Sequence, residues 1–149
     1  MFSIRSPQTP VPIHAADPLF LRVATVRVAC GFPSPADDHL DDPIDLVDRL
    51  TPNRHATFLF EVQGDSMAGA DVHDGDVAIV DRSLVAASGQ LVVACVAGGF
   101  TLKLLRIASG RARLWSVPRS GPPRPFGVGE EVQVWGVVRS TVTPHMRPR

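Results

Sequence analysis

Two side chains in this sequence could together carry covalent chemistry, Ser66 and Lys103. Ser66 stands in the run Gly64-Asp65-Ser66-Met67, just after the strand-like stretch Phe58–Val62. A serine hydroxyl becomes a nucleophile only with an activating base beside it. Lys103 is the only lysine among fifteen basic residues; the other fourteen are arginine. Arginine is never deprotonated in a protein, whereas a lysine amine stripped of water can lose its proton and act as a base. Its ordinary pKa of about 10.4 must fall by several units for that role, and burial among apolar side chains can achieve this. Lys103 lies in the apolar run Phe100-Thr101-Leu102-Lys103-Leu104-Leu105. On a strand, Thr101, Lys103 and Leu105 share one face, which supplies that apolar company. Taken singly, each feature has a plain explanation: composition drift for the lone lysine, a tight turn for the serine run.

Other chemistries find less support. The five histidines, His14, His39, His55, His73 and His145, are scattered through proline-rich or turn segments, so no Ser-His-Asp arrangement is evident. His73 is nearest to Ser66 but stands in a polar turn, His73-Asp74-Gly75-Asp76, where an exposed histidine is expected. Cys30 is followed by the proline-rich flank Phe32-Pro33-Ser34-Pro35 and has no base near it in sequence. Two cysteines 65 positions apart and dispersed histidines do not give metal-ligand spacing. No metal or cofactor is expected.

The elements that must position Ser66 and Lys103 are strands. Phe58–Val62, Val77–Val80, Leu91–Val96, Phe100–Leu105, Arg111–Val117 and Val132–Val138 are short, rich in β-branched and apolar residues, and divided by Gly-centred turns. At least six such strands and no long helical pattern predict an all-β domain, closed or sandwiched, over residues 58–149. Pro118–Gly129, with four prolines, reads as a surface loop. Residues 1–57 hold eight of the fourteen prolines and no regular pattern. They are expected to form an extended arm, with one short helix around Pro43–Leu50.

Composition bounds the rest. The 149 residues are 44% hydrophobic, enough for one domain with a real core. No apolar run approaches the roughly 20 residues of a membrane span, and no secretory signal pattern is present, so a cytoplasmic protein with free thiols is expected. A formal net charge of zero argues against a general nucleic-acid binder. The charge is nonetheless uneven. Asp37, Asp38, Asp41, Asp42, Asp45 and Asp48 form an acidic stretch, whereas residues 101–149 hold nine basic residues against Glu130 and Glu131. Such asymmetry permits a charged partner, although a solvated surface is its commoner meaning.

In combination the motifs are far more specific. Phe60-x-Val62-x-Gly64-Asp65-Ser66-Met67, Asp74-Gly75-Asp76-x-x-Ile79-Val80-Asp81, Gly89-x-x-Val92-Val93-Ala94, Phe100-Thr101-x-Lys103 and Gly136-Val137-Val138 strongly resemble the LexA/UmuD self-cleaving peptidase family. The resemblance covers residues 58–139. It implies a compact curved β-sandwich or partly closed barrel of the LexA C-terminal-domain type, with an extended, mostly irregular N-terminal arm. It also implies a Ser-Lys dyad at one end of a cleft, Ser66 the nucleophile and Lys103 the general base, and backbone N–H groups of Ser66 and Met67 as oxyanion donors. Family members cut their own arm at a bond between a small residue and glycine, and Val28-Ala29-Cys30-Gly31 looks like that bond, at Cys30-Gly31. A small Cys30 side chain suits a narrow pocket, and Gly31 lets the backbone bend close to Ser66.

LexA-like repressors carry a helix-turn-helix unit before the bond. The thirty residues preceding Gly31 are proline-rich and without helical period, so the UmuD-like branch is the better match, especially at Cys30–Ala36. That branch implies SOS mutagenesis: cleavage stimulated by a RecA filament on single-stranded DNA, a homodimeric product, and assembly with a UmuC-like Y-family polymerase for translesion synthesis. Sequence-specific DNA binding and a membrane anchor are not expected. One departure from the family is the run Ser116–Pro123, which replaces a Pro-x-Asn segment and bears on the cleft rim or dimer surface. The other readings are a polymerase accessory with a vestigial dyad, a Ser-Lys protease acting in trans, and a fragment of a self-cleaving repressor.

Overall fold

Where Gly follows a residue able to adopt a left-handed backbone, this chain reverses direction in two residues. Ala97-Gly98 (φ 49 and 77) and Ser109-Gly110 (φ 51 and 71) have positive φ at both positions, the geometry of type I′ hairpin turns. They join three consecutive strands: β5 (Leu91–Val96), β6 (Gly99–Ala108) and β7 (Arg111–Ser116). The computed structural model describes residues 20–24, 30–31, 40–127 and 131–146. Its remaining strands are β1 (Phe20–Ala24), β2 (Leu40–Asp45), β3 (Thr57–Glu61), β4 (Val77–Asp81), β8 (Arg124–Phe126) and β9 (Gln133–Val142).

Seven strands form one antiparallel sheet in the order β3-β4-β9-β5-β6-β7-β8, which bears out the all-β class. The sheet is open: β3 and β8 are its two ends. It is also curved. Four interstrand steps separate β3 from β6, about 19 Å if laid flat at ~4.8 Å each. Yet the rings of Phe60 on β3 and Phe100 on β6 have centroids 5.4 Å apart, both edge-on to Trp135 of β9. Apolar side chains fill both faces. Val92, Ala94, Leu105 and Leu114 form one buried cluster, and Ala78, Val80 and Val93 form the other. Val92 and Val93 are consecutive, so β5 is covered on both sides, which explains its unbroken apolar run.

Two expectations about irregular segments need correction. The Pro118–Gly129 loop contains β8, an end strand on which Pro125 lies opposite Trp115. An end strand tolerates proline because its missing N–H can face away from the ladder. In the N-terminal segment, β1 and β2 pair as an antiparallel ladder, with the register shifting between Leu21 and Val23 where Pro43 would have to pair. That irregularity accommodates the proline within a strand. The expected helix is one short turn, α1 (Leu46–Leu50), and it begins later than Pro43 because Asp45 caps it. The Asp45 carboxylate accepts from the N–H groups of Val47 (2.9 Å) and Asp48 (3.2 Å). The arm sequences on either side of Cys30-Gly31 lie outside the described residues.

The sheet is tied at the end of β4. Asp81 is fully buried and lies opposite Thr57 of β3 and Val137 of β9. Its carboxylate accepts from Ser83 N–H (2.8 Å), Ser83 Oγ (2.6 Å) and Arg139 Nε (2.7 Å). Burial alone would push this carboxyl up. The bonds from Ser83 and Arg139, together with the arginine's charge, outweigh it and hold the pKa below the usual carboxylate value. A depressed folded-state pKa gives stability that is present above the unfolded value, about 3.9. That stability is lost as pH falls through the folded value. Arg139→Ala is therefore expected to cost about 2 kcal/mol at pH 7. The gap to wild type should narrow in urea melts carried below pH 4, where Asp81 becomes protonated.

Candidate active site

The turn that carries Ser66 is built from small residues over an apolar anchor. After β3 the chain passes through Val62–Gly64 and closes a 3-10 turn at Ala68–Ala70. Ala68 N–H donates to Asp65 O (3.1 Å), and the N–H groups of Ala70 and Val72 donate to Met67 O (2.9 and 3.3 Å). Met67 and Val72 are buried beneath the turn, whereas Ser66 is exposed. The N–H groups of Ser66 and Met67 have no acceptor among the described residues. Both donors therefore remain free for an oxygen placed above the turn.

Gly69 fits this turn for a steric reason. Its N–H donates to Val117 O at 2.9 Å, and a Cβ there would lie 2.2 Å from Pro118 O. The unusual Ser116–Pro123 run thus supports the serine turn directly.

Lys103 comes from the middle of β6, opposite Val92. Only 5% of the residue is exposed. Its amine Nζ is hydrogen-bonded to Ser66 Oγ at 2.7 Å and lies 4.7 Å from the centre of the Phe126 ring on β8. No carboxylate pairs with it among the described residues. Burial, uncompensated by a counter-ion, lowers its pKa from the ordinary 10.5. The pair therefore meets the distance requirement for proton transfer from hydroxyl to amine. The curvature of the sheet creates this meeting, since the two residues are 37 positions apart.

A cleft of about 300 Å³ runs from this pair between Phe60–Gly64 and Phe100–Lys103. Its two walls are backbone edges. β3 pairs only with β4, and β7 pairs with β6 only from Leu104 onward, leaving the outer edge of Gly99–Lys103 without a partner strand among the described residues. Cys30 and Gly31 are exposed and not among the residues lining the cleft. A Cβ at Gly31 would meet nothing within 4 Å. The structure thus brings Ser66, Met67 and Lys103 together and leaves the Cys30-Gly31 bond outside the cleft.

Sequence reasoning did not single out Phe126, and it marked Ser116–Pro123 only as a departure at the cleft rim or dimer surface, not as the support of the serine turn through Val117 and Pro118. The signal for Phe126 was weak: an apolar residue after Arg124-Pro125 in a segment dominated by proline. For Val117 the contact is through its carbonyl, which carries no sequence signature.

This fold, with a serine and a dry lysine at one end of a two-edged cleft, agrees with what comparison with known proteins finds. Residues 21–139 match the family described as Peptidase S24-like, and the chain belongs to that family. The protein MucA of Salmonella typhimurium is 36% identical over 122 residues, 80% of this chain and 82% of its own length. The protein SamA of the same species is 34% identical over 131 residues, 88% of each. The LexA repressor of Stenotrophomonas maltophilia is 42% identical over 102 residues, 68% of this chain but 47% of the repressor. The resemblance to the LexA/UmuD family is thereby borne out. Among the described residues no helix is long and apolar enough to cross a membrane.

Two outcomes follow for stability. A lysine whose folded pKa is lowered binds fewer protons in the native state, so its cost is full below that lowered value and fades as pH rises from it toward 10.5. Lys103→Met is accordingly expected to melt at a higher temperature than wild type at pH 7, with the difference shrinking at pH 10. Gly69→Ala must displace the Pro118 carbonyl and is expected to destabilise by ~1–3 kcal/mol in denaturant titrations.

Proposed function

We propose that this protein is a self-cleaving serine peptidase in which Ser66 and Lys103 cut the Cys30-Gly31 bond. The observation that carries this reading is the 2.7 Å contact between a buried, unpaired lysine amine and an exposed serine hydroxyl. The arm docks in the cleft as an added strand, its backbone meeting the free edges of β3 and β6. Docking sets the Cys30 carbonyl against Ser66 and strips the remaining water from Lys103. The neutral amine takes the hydroxyl proton as Ser66 Oγ attacks the carbonyl carbon. The N–H groups of Ser66 and Met67 receive the oxyanion. The protonated Lys103 then gives its proton to the leaving Gly31 nitrogen, and water hydrolyses the acyl-Ser66 ester with Lys103 again serving as base. No cofactor takes part. Because Cys30-Gly31 lies outside the cleft, arm docking is the step that a regulator can control.

The similarity to MucA and SamA over most of their lengths supports a UmuD-like role in SOS mutagenesis. In that role a RecA filament on single-stranded DNA promotes docking. The shortened chain forms a homodimer in the cytoplasm and joins a UmuC-like Y-family polymerase for translesion synthesis. Residues 1–57 act as the arm and residues 58–149 as the peptidase domain.

The test is to incubate purified protein between pH 7 and pH 10 and follow a fragment beginning at Gly31 by mass spectrometry. The cleavage rate is expected to rise with pH and level off once Lys103, with its lowered pKa, is neutral. Ser66→Ala, Lys103→Ala and Lys103→Arg should each lose ~10²–10⁴-fold in rate while keeping the fold. A Lys103→Arg chain that cuts at the normal rate would rule out the general-base role. In cells, DNA damage should produce the Gly31 fragment from wild type and not from Ser66→Ala.

A further inference from the structure

Ser66 sits on an excursion of the chain between Val62 and Asp76 whose neck is tied by three hydrogen bonds. Val62 N–H donates to Asp76 O (2.8 Å), and Gly75 N–H donates to Val62 O (2.8 Å). Gly64 N–H donates to Asp74 Oδ1 (2.7 Å). The first two are backbone bonds that extend the β3–β4 ladder beyond Glu61 and Val77, and most sequences could make them. The third requires a side-chain acceptor, and it grips the chain two residues before the serine.

The two flanks of Ser66 are held differently. Downstream, buried Met67 and Val72 and the bond from Gly69 to Val117 fix the turn. Upstream, Gln63, Gly64 and Asp65 are exposed. Among the described residues, the Asp74 carboxylate is the only side chain hydrogen-bonded to any of the three. Asp74 is itself exposed and forms no ion pair among the described residues. Asp76, two positions on, has a different task. Its buried carboxylate accepts from His73 N–H (2.8 Å) and so shapes the turn that presents Asp74. A bond from a carboxylate to a backbone N–H is short and strong for its kind, and it reaches the one flank that packing leaves free.

We propose that Asp74 is a positioning residue for the cleavage chemistry, holding Gly64 so that the turn presents Ser66 Oγ to Lys103 Nζ. This rests on the Ser66–Lys103 reading above. Asp74 touches neither the scissile bond nor the amine; it acts through the backbone before the nucleophile. Without it the upstream flank is free to shift, and a displacement of ~1 Å at a reacting atom can cost about 10²-fold in rate.

The experiment compares self-cleavage of full-length wild type, Asp74→Ala and Asp74→Asn across the alkaline range, with thermal melts of each. Asp74→Ala is expected to lower the plateau rate by ~10–100-fold while leaving the midpoint of the pH–rate profile and the melting temperature near wild type. Asp74→Asn keeps a carbonyl oxygen in the same place and should recover the rate to within a few-fold. The assignment is overturned if Asp74→Ala cuts at the wild-type rate, or if it loses its fold along with its activity. It is equally overturned if Asp74→Asn is as slow as Asp74→Ala, or if the midpoint moves, which would mean that the charge acts on Lys103. Failure of folded wild type to cut sinks the dyad reading and this inference with it, whereas a cutting wild type with an indifferent Asp74→Ala sinks only the positioning role.

Discussion

An amine held 2.7 Å from a serine hydroxyl, largely buried and without a counter-ion among the described residues, is the constraint around which this molecule is organised. A carboxylate beside Lys103 would keep it charged, and solvent would do the same. Among the described residues no carboxylate pairs with it, and the 5% exposure, Leu105 on its face of β6 and the Phe126 ring limit its contact with water. Desolvating an ionisable group works against folding, so the reactive end of the sheet is bought at some expense to stability. The compensation lies elsewhere, in two apolar clusters and in the Asp81 tie between strands.

Two of the buried ionisable groups show how environment decides chemistry. Asp81 and Lys103 are both removed from water, and in each burial favours the neutral form. Asp81 has three donors, one of them the Arg139 guanidinium, which overcome burial and keep it a carboxylate that holds β4 to β9. Among the described residues Lys103 has only the serine hydroxyl as a hydrogen-bonding side-chain partner, and burial prevails. One is consequently a structural anion and the other is suited to be a base. The distinction follows from their partners rather than from depth of burial.

Curvature is the second requirement. A flat sheet would keep β3 and β6 far apart and Ser66 away from Lys103. The aromatic contacts between Phe60, Phe100 and Trp135 mark where the sheet folds on itself, and the same bend opens a cleft whose two walls have no partner strand among the described residues. Site and cleft are thus two results of one geometric feature. Cys30 and Gly31 are exposed and are not among the residues lining that cleft.

Much of this was legible in the residues alone. Six of the nine strands read correctly because apolar, β-branched runs divided by Gly-centred turns admit little else. Ser66 and Lys103 stood out because one follows a strand and the other is the sole lysine. What local pattern could not reveal were contacts made by carbonyls and by proline-rich segments. Val117 supports the serine turn through a backbone oxygen, β8 hides between prolines, and Asp74 looks like any turn aspartate until its acceptor role toward Gly64 appears. The sequence by itself determined which atoms could react and which runs would be strands, because side-chain chemistry and periodicity are local properties. Only the tertiary structure decided that hydroxyl and amine meet, that the amine is dry and that the bond waits outside. Those depend on how far a seven-stranded sheet bends, which is settled by packing between residues distant in the chain.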